Sequence, residues 1–244
     1  MGNTVTCYQE KKSLEIERPD FALYSKGAKV INRYTSETFE LWPPKWYQRL
    51  FAQISGHGVL RGKSPITAIS PDTYVGQCWP FPGREGQLAI LLSQPVYVTA
   101  VTYDHVSKDA GFDILSAPKD FEVWGIIDDG IGGKTNQPDN NGYEEEFIES
   151  RVLLDSKNFA TMDDSSPLRH FLGRFIYDIN GSPVQTFEIS NQILKSNKPI
   201  KAIIMRVLGN WGKPLYTCLY RFRVHGDPVN HDENLFLSTD KQEL

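Results

Sequence analysis

The stretch Tyr216-Thr-Cys-Leu-Tyr-Arg-Phe-Arg-Val-His225 decides the fold class. Apolar or aromatic side chains fall on every second residue from Cys218 to Val224, and arginines lie between the later ones. Because side chains alternate between the two faces of a β-strand, the pattern predicts one strand with an apolar and a charged face. The apolar face would carry Cys218, Tyr220, Phe222 and Val224.

Earlier in the chain, five runs of strand length are rich in β-branched, aliphatic and aromatic residues: residues 87–92, 96–103, 121–126, 184–189 and 202–208. The turn-forming pairs Pro82-Gly83 and Asn180-Gly181 lie between runs, which favours antiparallel connections. Short strands with frequent turns are typical of a sandwich of two sheets. We therefore expect an all-β domain with an antiparallel β-sandwich.

Composition limits the class of protein further. The chain has 244 residues, of which 40% are hydrophobic, so it can bury one large core. Its net charge of −4 gives no basic surface of the kind that binds nucleic acid. No apolar run approaches the roughly 18 residues of a membrane span. The first residues lack a basic region followed by an apolar run, so no signal peptide is predicted.

Three segments differ from this strand-rich pattern. Residues 1–18 form a polar stub with modest helical potential, residues 128–165 form an acidic insertion rich in glycine and asparagine, and residues 229–244 form a polar tail. Low hydrophobicity and high charge give such segments little to bury. The predicted domain is therefore residues 19–228, with the insertion inside it.

Motifs of catalysis and metal binding are missing from the sequence. There is no H-E-x-x-H, no G-x-S-x-G, and no C-x-x-C among Cys7, Cys78 and Cys218. Asp104 and His105 are adjacent on a predicted strand, so their side chains point to opposite faces and cannot form half of a catalytic triad. The pattern predicts a binding module rather than an enzyme. From the residues alone, three buried thiols are the favoured interpretation of the cysteines, and a disulfide is the alternative.

Several blocks, in order, resemble the SUN-domain family: residues 20–28, 70–81, 99–105, 116–121, 173–178 and 210–226. The resemblance covers residues 19–228. The acidic insertion and the polar tail differ from the animal pattern of the family and indicate a fungal member.

The resemblance implies a fold and a function. The fold is a jelly-roll-like β-sandwich that forms a homotrimer on a preceding coiled coil. The full-length protein would be anchored in the inner nuclear membrane with this domain in the perinuclear space. There it would bind the C-terminal tail of a KASH protein, forming the LINC complex that links nucleus and chromatin to the cytoskeleton or the spindle pole body. Residues 1–18 lack sustained heptads, so we do not expect them to drive trimerisation alone.

The resemblance also assigns a disulfide and a cation loop. Cys78 and Cys218 match the family's disulfide, which leaves Cys7 free. The disulfide closes a loop that holds a monovalent cation, usually K⁺. The ligand residues implied are Thr67, Ser70, Asp72, Gln77 and Tyr220. Such oxygen donors suit a weakly hydrated cation, whereas zinc prefers cysteine or histidine.

The KASH-binding positions that the resemblance implies are His105, Ser116, Tyr216 and Tyr220. Hydrogen-bond donors and aromatic walls fit the capture of a C-terminal carboxylate. Residues 39–62 match the family's lid hairpin, which covers the peptide. Its exposed apolar residues would be Trp42, Trp46, Tyr47, Leu50 and Phe51, suited to strand addition or to a protomer interface. Pro43-Pro44 interrupts any continuous strand there.

One position departs from the family. Thr35 stands where animal members have the cysteine that forms a disulfide with the KASH protein, so we expect a non-covalent tether. Two other functions stay open from the sequence: a carbohydrate-binding β-sandwich module, and a hydrolase on a jelly-roll scaffold.

Overall fold

The computed structural model describes residues 18–110, 113–127, 169–194 and 198–229. Within these residues the strands are β1 (Lys29–Val30), β2 (Glu40–Leu41), β3 (Leu60–Arg61), β4 (Trp79–Pro82), β5 (Gly86–Asp104), β6 (Asp120–Ile127), β7 (Arg169–Ile176), β8 (Val184–Glu188), β9 (Ile200–Val207), β10 (Tyr216–Leu219) and β11 (Arg221–Pro228). The helices are α1 (Trp46–Ser55) and α2 (Asn191–Leu194). The predicted stub up to residue 17, the predicted insertion and the tail from residue 230 lie outside the described residues. No helix in the described ranges is long and apolar enough to cross a bilayer.

The architecture is an antiparallel β-sandwich, as predicted, and strand β5 connects its layers. The first half of β5 pairs with β1 and β9 in the order β1-β5-β9-β6-β7, and its second half pairs with β8 and β11. The pairing of β5 with β9 jumps between Leu91 and Val96. Pro95 lies in this gap and has no N–H for a sheet ladder, so the strand leaves one sheet and enters the other here.

The core lies between the layers and follows the alternation of the strands. Leu88 and Ile90 of β5 point into it together with Phe121 of β6 and Phe222 of β11. The alternate residues of β5, Ala89 and Leu91, point outward into a second cluster, which includes Trp124, Ile126, Ala202 and Ile204. The central sheet is therefore buried on both faces, which explains its continuous apolar runs.

The C-terminal run differs from the single strand that its alternation predicts. It forms two strands, β10 paired with β4 and β11 paired with β5, and Tyr220 lies between them. Leu219 points into the main core, as do Phe222 and Val224, while Cys218 and Tyr220 do not. The prediction that Cys218 and Tyr220 share an apolar face with Phe222 and Val224 was therefore wrong. The chain changes sheets at Tyr220, so odd-numbered residues face the core before it and even-numbered residues after it.

The predicted lid hairpin carries a helix. Strands β2 and β3 pair antiparallel, but the chain between them forms α1. Pro43-Pro44 precede the helix. After its last residue, Ser55, Gly56 forms a left-handed C-cap with a φ of 71° and an N–H bond to the Ala52 carbonyl. Residues 46–55 are therefore unavailable for strand addition, which corrects that part of the prediction.

Candidate functional site

The centre of the candidate site is His105, directly after β5. Its ring is 5% exposed, and the Nδ1–H donates to the Val106 carbonyl at 3.0 Å. The buried Nε2 has no hydrogen-bond partner in the described part of the chain. Burial lowers the pKa of His105, although the Val106 carbonyl and Asp113 act in the opposite direction. The ring is therefore neutral at neutral pH, and its Nε2 presents a lone pair.

Three tyrosines surround this histidine. The ring centres of Tyr220, Tyr177 and Tyr103 lie 4.5, 5.9 and 6.1 Å from that of His105. Burial raises the pKa of Tyr103 well above its usual value, and burial raises that of Tyr177 to about 12. These two phenols stay protonated, so they give the site aromatic walls without negative charge.

Ser116 and Tyr216 meet at Asp113, which the sequence did not identify. Ser116 Oγ donates to the Asp113 carbonyl at 2.7 Å, and the Tyr216 hydroxyl donates to the Asp113 carboxylate. Burial, followed by this hydrogen bond, raises the pKa of Tyr216 to about 12. Nothing in the local sequence marks Asp113, because its partner is 103 positions away in the chain.

Lys213 completes this half of the site. Its ammonium lies 3.2 Å from the Asp113 carboxylate and 5.1 Å from the centre of the Tyr216 ring. The lysine compensates the charge of this carboxylate, which lies beside the predicted binding residues. The structure thus brings the four predicted residues together: the His105 and Tyr220 rings are in contact, and Ser116 and Tyr216 both bond to Asp113. The charge of Asp113 also acts on the pKa of His105.

The Asp104 carboxylate is paired with Arg223 and not with His105, as its sequence position predicts, although its charge is among the smaller causes that raise the pKa of Tyr103 and Tyr177. Its carboxylate accepts the Arg223 Nε–H at 2.9 Å on the other face of β5. Burial raises the pKa of Asp104, and Arg223 offsets part of that effect. No group of three or more histidine, cysteine, aspartate or glutamate side chains in the described ranges is placed to hold a metal ion.

The predicted disulfide is confirmed. Cys78 and Cys218 are bonded, with their Cα atoms 5.6 Å apart, and they are 140 positions apart in the chain. Cys78 immediately precedes β4 and Cys218 lies in β10, and these two strands pair with each other. The disulfide therefore joins the loop before β4 to the strand that carries Tyr216. Cys7 lies outside the described residues.

The predicted cation loop begins at Thr67 within the short 3₁₀ helix Pro65–Ile69 and ends at the disulfide. Ser70 Oγ donates to the Ile66 carbonyl at 2.8 Å, and the Ser70 N–H donates to the Thr67 carbonyl at 3.3 Å. The Gly76 N–H donates to the Tyr220 hydroxyl at 3.2 Å, which ties the loop to the wall of the site. Asp72 is exposed and Gln77 is half-buried.

A groove leads away from Tyr216. The Phe39 ring lies 5.1 Å from the Tyr216 ring, and Phe39 also lines a cavity of about 500 Å³. The other lining residues are Glu40, Leu41, Trp42, Arg49, Gln53 and Leu215. Of the predicted lid residues, only Trp42 lines this groove. Trp46, Tyr47, Leu50 and Phe51 lie on the exposed side of α1.

Thr35 is held by bonds within the chain. Its Oγ1 donates to the Ile31 carbonyl at 2.9 Å and accepts the Ala89 N–H at 3.1 Å. The threonine therefore fastens the segment before the lid to β5.

Solved structures of β-sandwich domains are distantly similar. A family 32 carbohydrate-binding module of Streptococcus pneumoniae EndoD is 13% identical with a TM-score of 0.45, covering 86% of this chain and all of that one. A putative chitobiase fragment from Bacteroides thetaiotaomicron is 10% identical with a TM-score of 0.48, covering 90% and 99% of the two chains. These values carry no conclusion about ligands.

Curated relatives are much more similar in sequence. SUN domain-containing protein 3 of Homo sapiens is 35% identical over 220 residues, covering 89% of this chain and 49% of that protein. SUN domain-containing protein 1 of Homo sapiens is 33% identical, covering 86% and 22%. The Klaroid protein of Drosophila melanogaster is also 33% identical, covering 86% and 18%. The chain thus spans half or less of their length. These animal relatives do not support the expected fungal origin.

A family model matches most of the domain. Its description is Sad1/UNC-like C-terminal, and it matches residues 59–134 and 153–228. The unmatched stretch between them lies inside the predicted acidic insertion. Since the match covers well over half of the chain, this protein belongs to the Sad1/UNC-like C-terminal family, the family of SUN domains.

Proposed function

We propose that this domain binds the C-terminal tail of a KASH protein in the perinuclear space, as part of a LINC complex. The observation that carries the proposal is the unpartnered Nε2 of His105 inside a buried aromatic site. A buried polar atom without a partner costs free energy, about 1–3 kcal/mol, which a bound ligand would recover. Family membership supports the same function.

The residues around His105 supply what a peptide terminus needs. A neutral His105 accepts a peptide N–H at Nε2, and after protonation it donates to the terminal carboxylate instead. The hydroxyls of Ser116 and Tyr216 both donate to Asp113 in the structure. Capture of the carboxylate by either hydroxyl therefore requires it to exchange partners, while Lys213 keeps the charge of Asp113 compensated.

The rest of the tail would follow the groove. Phe39, Leu41, Trp42 and Leu215 give it apolar walls, and the groove begins beside Tyr216. A peptide with its last residue near His105 would leave the pocket past the Tyr216 ring and lie between β2 and α1. Specificity for a C-terminus and affinity for an apolar tail would thus come from separate parts of one surface.

A monovalent cation, K⁺ in our proposal, would stabilise this surface through the disulfide-closed loop. The residues that would hold it are Thr67, Ser70, Asp72, Gln77 and Tyr220. The donor set is made of oxygen atoms, mostly neutral, which fits a weakly hydrated cation. The Gly76–Tyr220 hydrogen bond gives the loop a direct connection to the peptide site.

Assembly and location complete the proposal. The full-length protein would be a membrane-anchored homotrimer of the inner nuclear membrane, whose lumenal domains bind KASH tails and connect the nucleus to the cytoskeleton or spindle pole body. Thr35 offers no thiol for a disulfide with the partner, so the tether would be non-covalent. The domain would act by binding and not by catalysis.

Calorimetric titration with three peptides tests the proposal: a KASH-protein tail peptide, the same peptide amidated at its C-terminus, and one extended by a single residue. We expect tight binding of the first only. His105→Gln should weaken binding about five- to 150-fold, the equivalent of one lost buried hydrogen bond. His57→Gln, which changes an exposed histidine, is the matched control. Equal affinity for native and extended peptides would exclude C-terminal capture. Glycan binding without peptide binding would favour the carbohydrate-binding alternative.

A further inference from the structure

Helix α1 turns its apolar side outward. Its large apolar residues are all exposed: Trp46, Tyr47, Leu50, Phe51 and Ile54. At 100° per residue these five positions share one continuous arc of the helix. The two at its ends in sequence, Trp46 and Ile54, are 76% and 79% exposed. Isolated exposed apolar residues are common, but a continuous apolar helix face marks a binding surface.

The opposite side of α1 faces the domain and is small or polar. Ala52 is the buried residue of the helix, and Arg49 and Gln53 line the groove. A ten-residue helix is marginally stable in water without burial of its apolar face. The domain provides no such burial in the described structure. Whatever covers the outer face therefore also stabilises the helix.

The charge around α1 is positive. Residues 42–63 contain Lys45, Arg49, Arg61 and Lys63 and no aspartate or glutamate, although the whole chain has a net charge of −4. Lys45 and Lys63 are exposed, whereas Arg61 is paired with Glu40. At the N-terminal end of the helix, the Trp46 and Tyr47 rings pack edge to face with centres 6.1 Å apart.

We propose that the outer face of α1 inserts into the surface of an anionic lipid bilayer. An exposed apolar arc that includes tryptophan and tyrosine, flanked by lysines without acidic residues, has the chemistry of an interfacial helix. A symmetric contact between the α1 faces of two copies is less suitable, because it would bring like charges together. Contact of α1 with a different surface of a neighbouring copy would show as a change of mass in light scattering. The groove side of α1 would remain free, so the inference does not depend on peptide binding.

Vesicle co-flotation of the whole chain tests the proposal. The vesicles are phosphatidylcholine with or without phosphatidylserine, and binding should require the anionic lipid. Trp46→Ala combined with Ile54→Ala should weaken binding at least about tenfold, since two apolar side chains no longer enter the bilayer. Tyr24→Ala combined with Ile176→Ala removes exposed apolar residues elsewhere and should leave binding unchanged.

The roles of the flanking lysines and of Trp46 insertion into the bilayer can be measured separately. Lys45→Gln and Lys63→Gln should each weaken binding about fivefold, while Lys26→Gln and Lys198→Gln should not. On binding, tryptophan emission should shift to shorter wavelength, and Trp46→Phe should remove most of that shift but keep the binding. No binding to anionic vesicles, or a weakening no greater than in the control pair, would overturn the proposal. A second result would also overturn it: the Trp46→Ala, Ile54→Ala variant has a lower mass by light scattering but unchanged lipid binding. The exposed apolar face of α1 would then be a contact between copies of the chain.

Discussion

The imidazole of His105 packs against the phenol of Tyr220, with the ring centres 4.5 Å apart. The Tyr220 hydroxyl accepts the Gly76 N–H from the predicted cation loop. Tyr220 therefore connects two predicted sites that are distant in the sequence. A change in the loop would therefore reach the proposed peptide pocket through the Tyr220 side chain.

Tyr220→Phe should weaken both peptide binding and its dependence on K⁺. The substitution keeps the ring against His105 but removes the acceptor of the Gly76 N–H, at a cost of about 1 kcal/mol or roughly fivefold in affinity. Titrations in potassium and in a large organic cation measure it. Tyr74→Phe, in the same loop but 72% exposed, is the control. Identical K⁺ dependence of peptide binding in wild type and Tyr220→Phe would show that Tyr220 does not couple the cation loop to the peptide pocket.

The domain should lose stability as pH falls below about 6.5. Burial lowers the folded-state pKa of His105 and of His225 from the ordinary 6.5. Between the folded and ordinary values, the unfolded chain binds more protons, so acid favours unfolding. Each histidine contributes a slope of up to about 1.4 kcal/mol per pH unit. Denaturant titrations from neutral to mildly acidic pH should show a smaller slope for His105→Gln than for the wild type. Parallel curves for the two proteins would contradict the prediction.

Peptide affinity should rise over the same acid range while the domain stays folded. A peptide carboxylate at Nε2 favours protonated His105, so binding takes up a proton and strengthens until pH falls below the lowered pKa of the free site. Calorimetry in buffers of different ionisation enthalpy measures the proton uptake. An amidated peptide should show none, and equal uptake by both peptides would rule out His105 as the group that pairs with the carboxylate.

Lys213→Gln should weaken binding of the free carboxylate peptide about three- to tenfold. The lysine is paired with Asp113 at 3.2 Å, and its loss leaves a negative charge facing the incoming carboxylate. The effect should shrink at high salt, because the pair is partly exposed. Lys213→Arg keeps the charge and should bind nearly as well as wild type. A loss of the same size with amidated peptide would mean that Lys213 acts through packing instead.

Loss of the disulfide should destabilise the domain by about 2–5 kcal/mol, because the bond closes a long loop in the unfolded chain. The Cys78→Ser, Cys218→Ser double variant should unfold at lower denaturant and bind peptide more weakly. Cys7→Ser should behave as wild type. Non-reducing peptide mapping should find Cys7 alkylated and Cys78 protected, and an alkylatable Cys78 in the native protein would contradict the assignment.

Much of this molecule followed from its sequence. The β-rich runs of β5, β6, β9 and β11 were predictable because alternation and β-branched composition reflect how strands bury one or both faces. The separation of Asp104 from His105 followed from the same alternation. The disulfide pairing came from ordered blocks of family resemblance, since three cysteines alone leave the pairing open.

Other features needed the folded chain. Apolar residues alternate without a break from Cys218 to Val224 in the sequence. In the structure, however, the chain leaves the sheet of β4 at Tyr220 and joins the sheet of β5. Such a change depends on pairing with strands that are distant in the sequence. Asp113 could be identified as a residue of the site only from the folded structure, in which it accepts a hydrogen bond from Tyr216. The apolar residues of the lid predicted a binding surface, but the sequence did not show that they would form a helix.

The sequence by itself therefore determined the strands, the family and the positions of the predicted binding residues, because these depend on local pattern and on ordered motifs. The tertiary structure decided which of those residues face one another, and that α1 turns its apolar side away from the domain. It also buries the Nε2 of His105 with no hydrogen-bond partner among the residues that the structure describes. Contacts between residues far apart in the chain depend on how the sheets pair and pack, and no local pattern encodes that arrangement.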